Sequence, residues 1–131
     1  MANFMTVVIL LLLISPSYAA SEATIPYIEI KNPTDGETVD PATNLVVVAE
    51  GYELRNPFVS ITGEYVGTVF PLKECIYEAT PEPGMPIKMY CNAEIDLSGF
   101  ENQKIRLGVS VIEGEGTLTD SVGLFVSGQC A

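Results

Sequence analysis

The stretch KIRLGVSVI (104–112) alternates without a break, with Ile105, Leu107, Val109 and Val111 on one side of an extended chain and Arg106, Gly108 and Ser110 on the other. A period of two is the side-chain period of a β-strand, and this pattern sends one face into a core and the other into water. Across the EGEG turn (113–116) the period returns in TLTDSVGLFV (117–126), where Val122, Leu124 and Val126 are in phase. Asp120 interrupts that phase and predicts a bulge near 120. No stretch beyond residue 20 sustains a helical period, so the chain reads as all-β, its short strands divided by Gly, Pro, Asn and Asp turns.

Other strands follow from the same reasoning. YIEIK (27–31) alternates, and NPTDGETVDP (32–41) is a turn-rich connection in which Thr38 and Val39 form a short second pairing. LVVVA (45–49) is apolar on both faces, as a central strand covered on two sides would be. FVSIT (58–62) and EYVGTVF (64–70) flank Gly63. A tight turn there sets Ile61 opposite Val66 and Val59 opposite Thr68, turning Val59, Ile61, Val66 and Phe70 inward.

The cysteines can be tested by register, because opposed residues of a hairpin have numbers of constant sum. Setting Cys75 against Cys91 also sets Glu78 against Lys88, Tyr77 against Met89 and Ala79 against Ile87, pairs that are sensible in charge and in apolar character. The returning strand then points Ile87, Met89, Cys91, Ala93, Ile95 and Leu97 to one side, the core. The loop TPEPGMP (80–86) closes the hairpin, with Gly84 available for a positive φ and the prolines kept out of both ladders. Directly opposed antiparallel positions lie within disulfide range, which predicts a Cys75–Cys91 bond; the alternative is two buried thiols. Without a C-x-x-C spacing, zinc is disfavoured. Cys130 is left over, as a free thiol or a link between chains.

The first residues explain how such a bond could form. An apolar run from Val7 to Ile14, then Ser15-Pro16 and small residues at Ser17 and Ala19, predicts a signal peptide over 1–19, cleaved after Ala19. The run falls short of the roughly 20 residues that span a bilayer, and no membrane insertion is expected after cleavage. Residues 20–26 then form an extended N-terminal arm and 27–131 a single domain, secreted or exposed on the cell envelope, where disulfides persist. Seventeen acidic residues against six basic ones give a net charge of −11, which repels phosphate backbones and anionic lipid and argues against a nucleic-acid partner.

Two stretches resemble the prokaryotic immunoglobulin-like domains of bacterial and archaeal surface and secreted proteins. One is IEIKNPTDGETVDPATNLVVVAEG, with strand, Pro, Asp-Gly, Val and β-branched strand in that order. The other is AEIDLSGFENQKIRLGVSVIEGEGTLTDSVGLFV, with its Asp-Leu-Ser-Gly approach to a strand, Gly turn and last strand. The resemblance implies an immunoglobulin-like two-sheet sandwich of about seven to eight strands. Its topology requires residues 64–79 to act as one long strand that changes sheets near Pro71, pairing first with 58–62 and then with 87–95. The chain has no tryptophan, and the expected disulfide joins neighbouring strands instead of bridging the two sheets, so an antibody-type domain is not expected.

The chemistry is sparse. With no histidine, the commonest general base and metal ligand is missing, and no nucleophile-elbow, zincin or phosphate-loop pattern occurs. No enzyme activity and no organic cofactor are expected. Oxygen ligands for calcium are available in the DGETVD turn at Asp35, Glu37 and Asp40, with Glu113 and Glu115 in a second turn at the opposite end of the sandwich; the plainer reading is solvated turns. Tyr52, Phe58, Tyr65, Tyr90, Phe100 and Phe125 are candidates for outward or rim positions, where a cluster would form a recognition patch. These features describe a non-catalytic module for protein or glycan binding or structural adhesion at the cell surface. The alternative is a self-assembling subunit, through strand addition by the arm or a Cys130-linked oligomer, and a third reading is an inhibitor or ligand presenting loop 80–86.

Overall fold

A computed structural model describes residues 25–79 and 84–128. The expected signal peptide, most of the N-terminal arm, residues 80–83 of the proline-rich loop and Cys130 lie outside the described residues. Among those described, the regular structure is all β: β1 (Tyr27–Asn32), β2 (Thr38–Val39), β3 (Ala42–Gly51), β4 (Leu54–Thr62), β5 (Gly67–Pro71), β6 (Cys75–Glu78), β7 (Ile87–Asp96), β8 (Gln103–Glu113) and β9 (Gly116–Val126). They form a four-stranded sheet in the order β1-β3-β7-β6 and a five-stranded sheet in the order β2-β9-β8-β4-β5. The two sheets pack face to face as a β-sandwich around one core.

Alternation decides what enters that core. Ile105, Leu107, Val109 and Val111 of β8 are buried, as are Leu45, Val47 and Ala49 of β3 and Met89, Cys91 and Ile95 of β7. The β8–β9 hairpin turns through Gly114-Glu115, with Glu113 paired to Gly116 and Gly114 at φ 59°. At the other end the Asp35-Gly36 turn docks on β9: the Gly36 N–H donates to the Gly123 carbonyl and the Gly123 N–H to Asp35 Oδ1, both at 2.7 Å. That docking lays β2 parallel to the end of β9, Thr38 beside Phe125 and Val39 beside Val126.

The cysteine hairpin has the predicted register. Cys75 faces Cys91, Tyr77 faces Met89 and Glu78 faces Lys88, and a disulfide joins the two cysteines with a Cα–Cα distance of 4.1 Å. The ladder stops at Glu78, however, so Ala79 and Ile87 do not pair; Ile87 faces Gly51 of β3 instead. Gly84 has the expected positive φ, 82°. The chain does change sheets between residues 64 and 79, but as two strands. β5 pairs with β4 and β6 with β7, and Leu72–Glu74 crosses between them with Leu72 buried and its N–H donated to the Pro57 carbonyl.

Three expectations need correction. The β4–β5 turn spans Gly63–Val66, where the Gly63 N–H donates to the Val66 carbonyl, so Ile61 faces Thr68 and Val59 faces Phe70. Val66 keeps the inward phase but lies beyond the last ladder pair, and it is 64% exposed. β3 is interior to its sheet, between β1 and β7, yet covered on one face only; Val46 and Val48 point to the outer face and are half-buried. β9 carries no bulge at Asp120, since its register with β8 runs unbroken. The irregularity sits in β1 instead, between Ile30 and Asn32, and Asp120 Oδ2 accepts the Ile30 N–H at 2.9 Å. A carboxylate that seemed to break the inward phase therefore caps an edge strand. Asp120→Ala, which orphans that largely buried donor, is expected to lower unfolding free energy by about 1–3 kcal/mol, whereas Asp120→Asn, which keeps an acceptor, should lose less; denaturant titration of both variants checks this.

The Asp-Leu-Ser-Gly approach to β8 has a structural cause. Asp96 Oδ1 accepts the Ser98 N–H at 2.9 Å, Leu97 is fully buried with its N–H on the Pro41 carbonyl at 2.6 Å, and Gly99 takes φ 100°. Hydrogen bonding from the Ser98 side chain and backbone holds the Asp96 carboxyl below its ordinary range.

Candidate functional site

The two outer faces of the sandwich differ in charge, and the difference can be built from the strand phases. In the five-stranded sheet the cross-strand rows on the outer face are Gly67–Thr62–Arg106–Gly123, Val69–Ser60–Gly108–Ser121 and Pro71–Phe58–Ser110–Thr119. Lys104 extends this face beside Phe125 at one end, and Arg55 beside Ile112 at the other. The floor is small and hydroxyl-rich. Ser60 closes over Gly108, where an added Cβ would stand 2.7 Å from Ser60 Oγ, and the Ser110 and Thr119 hydroxyls meet at 2.9 Å.

No acidic side chain of β4, β5, β8 or β9 points to this face. The two carboxylates these strands carry, Glu113 and Asp120, belong to the inward phase, and both accept backbone N–H groups. Glu113 Oε2 takes those of Tyr52 and Glu53 at 2.8 and 2.9 Å, and Asp120 takes that of Ile30. Three of the chain's six basic residues, Arg55, Lys104 and Arg106, therefore share a face to which β4, β5, β8 and β9 add no carboxylate, on a molecule of net charge −11; the acid beside Arg106 is Asp35, which reaches over Gly123 from the neighbouring turn.

A groove of about 440 Å³ opens at the Lys104 end, between the Asp35-Gly36 turn and β8–β9, with Gly123 on its floor and Phe125 on its rim. Arg106 is anchored by one hydrogen bond, Nη1 to Ser121 Oγ at 3.1 Å. Asp35 stands at the edge of the groove with Oδ1 already engaged by Gly123. A guanidinium and an ammonium beside a glycine floor can receive a carboxylate.

The outer face of the four-stranded sheet has the opposite character. Its rows are Glu29–Val48–Tyr90–Ile76 and Tyr27–Glu50–Lys88–Glu78, followed by Val46 beside Asn92 and by Asn44 beside Glu94. Asp96 continues this phase at the end of β7. Lys31 is drawn to Glu29 at 2.8 Å, and that hydrogen bond and charge hold its ammonium above the ordinary lysine range.

The residues singled out from sequence are dispersed. Asp35 Oδ1 is engaged as above, Glu37 Oε1 accepts from the Thr34 hydroxyl at 3.3 Å, and Asp40 Oδ1 accepts from Ser127 at 3.3 Å. Among the described residues no three acidic or cysteine side chains converge as a metal site. Glu113 and Glu115 lie at the far end of β8–β9, as expected. The aromatic residues do not cluster. Phe100 belongs to the core rather than the rim, Tyr65 sits in the β4–β5 turn, Tyr90 is on the four-stranded face, and Phe58 and Phe125 are on the five-stranded one. The basic face was missed because its residues lie far apart in the chain. The signal was present in the outward set Arg106, Gly108 and Ser110, but only the β4 register shows that Thr62 and Ser60 continue it.

No protein-family model and no curated protein matches the chain. Among solved structures, it is similar to the endo-β-1,4-mannanase from Thermotoga petrophila, with a TM-score of 0.58 and 14% sequence identity over 83% of this chain. The match takes in 21% of the mannanase chain, so this protein corresponds to about a fifth of that structure's length. At this identity the likeness is one of fold.

Proposed function

We propose that the protein is an exported, non-catalytic immunoglobulin-like module that binds an anionic glycan at the cell surface through the outer face of its five-stranded sheet. The observation that carries the reading is the segregation of Arg55, Lys104 and Arg106 onto one hydroxyl-rich face of a strongly acidic chain, a face to which its strands β4, β5, β8 and β9 contribute no carboxylate. Charge scattered for solubility alone would not sort by face, and a local positive field on such a molecule steers anionic partners to one surface.

The immunoglobulin-like assignment is supported by strand order. β1-β3-β7-β6 follows strands A, B, E and D, and β9-β8-β4 follows G, F and C. Export is supported by the apolar leader and by the Cys75–Cys91 disulfide, a bond that persists in oxidising compartments. The lack of catalysis is inferred from a chain without histidine or a recognisable nucleophile motif.

Binding of the purified mature chain to a carboxylated polysaccharide, with a neutral polysaccharide as reference, tests the reading. The wild-type chain should bind the carboxylated polymer and release it as salt is raised. Lys104→Glu/Arg106→Glu should weaken binding by about tenfold or more, since each tenfold corresponds to only about 1.4 kcal/mol. Equal binding by the double variant, or turnover of the polymer, would remove the proposal.

A further inference from the structure

The sandwich has four sheet edges, and three of them are guarded against pairing with another chain. β1 carries Glu29 and Lys31, has an irregular register between Ile30 and Asn32, and gives its Ile30 N–H to Asp120. β2 is two residues long. β6 is four residues long, ends on Glu78 and is held by the disulfide. Charge, irregular register and brevity are the means by which natural sheets protect their edges.

β5 has little of this protection. From Tyr65 to Pro71 the sequence YVGTVFP contains no charge. Tyr65, Val66 and Val69 are 87%, 64% and 65% exposed, and Phe70 is half-buried. The Val66 carbonyl and the Leu72 N–H are directed to β4. Because backbone groups alternate along a strand, Gly67 and Val69 direct theirs to the open edge. Only Pro71, which lacks an N–H, limits pairing, and it does so at the strand's last residue.

We propose that β5 pairs antiparallel with β5 of a second copy of this chain, centred on Thr68. In that register Gly67 of each copy faces Val69 of the other, and both have outward-directed peptide groups to exchange. Phe70 faces Val66 of the copy, so the inward-phase valine that the isolated sandwich leaves exposed is covered. The occupant is argued from self-complementarity and charge. Gly67 and Val69, which carry the open peptide groups, pair with each other across a two-fold, and on chains of net charge −11 the uncharged strip adds no charge to the seam. The two-fold arrangement keeps like faces on the same side, joining two five-stranded sheets into one and setting the two basic faces side by side. A polymeric anion would then meet two sites at once, with a gain in avidity. The pairing itself does not depend on the glycan proposal.

Sedimentation velocity on the mature chain carrying Cys130→Ser, from micromolar to near-millimolar concentration, tests the pairing without a thiol link. The parent should form a dimer. Val69→Lys, which places a charge in the strip, and Val69→Pro, which removes an outward N–H but leaves the β4 ladder intact, should both sediment as monomers with unchanged far-ultraviolet circular dichroism. Ile76→Lys, on the β6 edge, should remain dimeric. A parent that stays monomeric throughout, or Val69 variants that dimerise like the parent, would overturn the proposal; so would dissociation by Ile76→Lys alone.

Discussion

Replacing Cys75 and Cys91 together by alanine should lower the unfolding free energy by about 3 kcal/mol, the chain-entropy expectation for a closed loop of this size. The bond links residues 16 apart and fastens β6, which has four residues and a single neighbouring strand, to the long interior strand β7. Leu72–Glu74 crosses between the sheets just before it, so the bond also anchors that crossing. The loss should be uneven. Amide exchange should accelerate most in β6 and at Asn92, whose N–H donates to the Glu74 carbonyl, while β8 and β9 keep their protection relative to the global transition. Denaturant titration gives the total, and exchange measured residue by residue gives its distribution. Equal stability with and without the bond would mean that the ladder alone holds the crossing.

Leu107→Ala should be as damaging or more so, lowering stability by about 2–5 kcal/mol. Leu107 lies in the middle of β8, flanked by Ile61 and Val122, and has no exposed surface. Removing its branched end leaves a void between two sheets whose ladders prevent collapse around it. Against a typical total of about 5–15 kcal/mol this is a large fraction, and the variant should unfold at markedly lower denaturant. Val66→Ala is the paired control. Val66 has the same inward phase but lies in the turn just before the edge strand β5, 64% exposed, so the change should be nearly neutral in the monomer. A similar loss for both would mean that burial at the β5 edge is greater than the isolated chain indicates.

The contrast between Leu107 and Val66 indicates how far sequence carries. Alternation specified which residues of β7, β8 and β9 face the core, because period two leaves little choice once one face is buried. The Glu78–Lys88 charge pair and the Tyr77–Met89 pair specify the register of the cysteine hairpin, although the expected Ala79–Ile87 pair does not form. What alternation does not contain is position across a sheet. Val66 and Leu107 have the same phase, and only strand order makes one an edge and the other a centre. Val46 and Val48 look doubly buried for the same reason, since β-branched residues suit an outer face as well as a core. Asp120 was misread because its partner, the Ile30 N–H, is 90 residues away.

The basic face lay further out of reach. Arg55, Thr62 and Arg106 are neighbours only through the β4–β8 register, and the net charge of −11 directs attention away from cations. Charge summed over the chain describes its solubility; charge sorted by strand phase describes what each face can meet.

The most direct test of that surface is a nitrogen-15 NMR titration of the mature chain with an oligosaccharide of uronic acids. Binding at the basic face predicts concentration-dependent shifts at Thr62, Lys104, Arg106, Ser121, Gly123 and Phe125, with Val48, Lys88 and Tyr90 on the opposite sheet unmoved. Shifts centred on the four-stranded face, or no shifts at any amide, would contradict it.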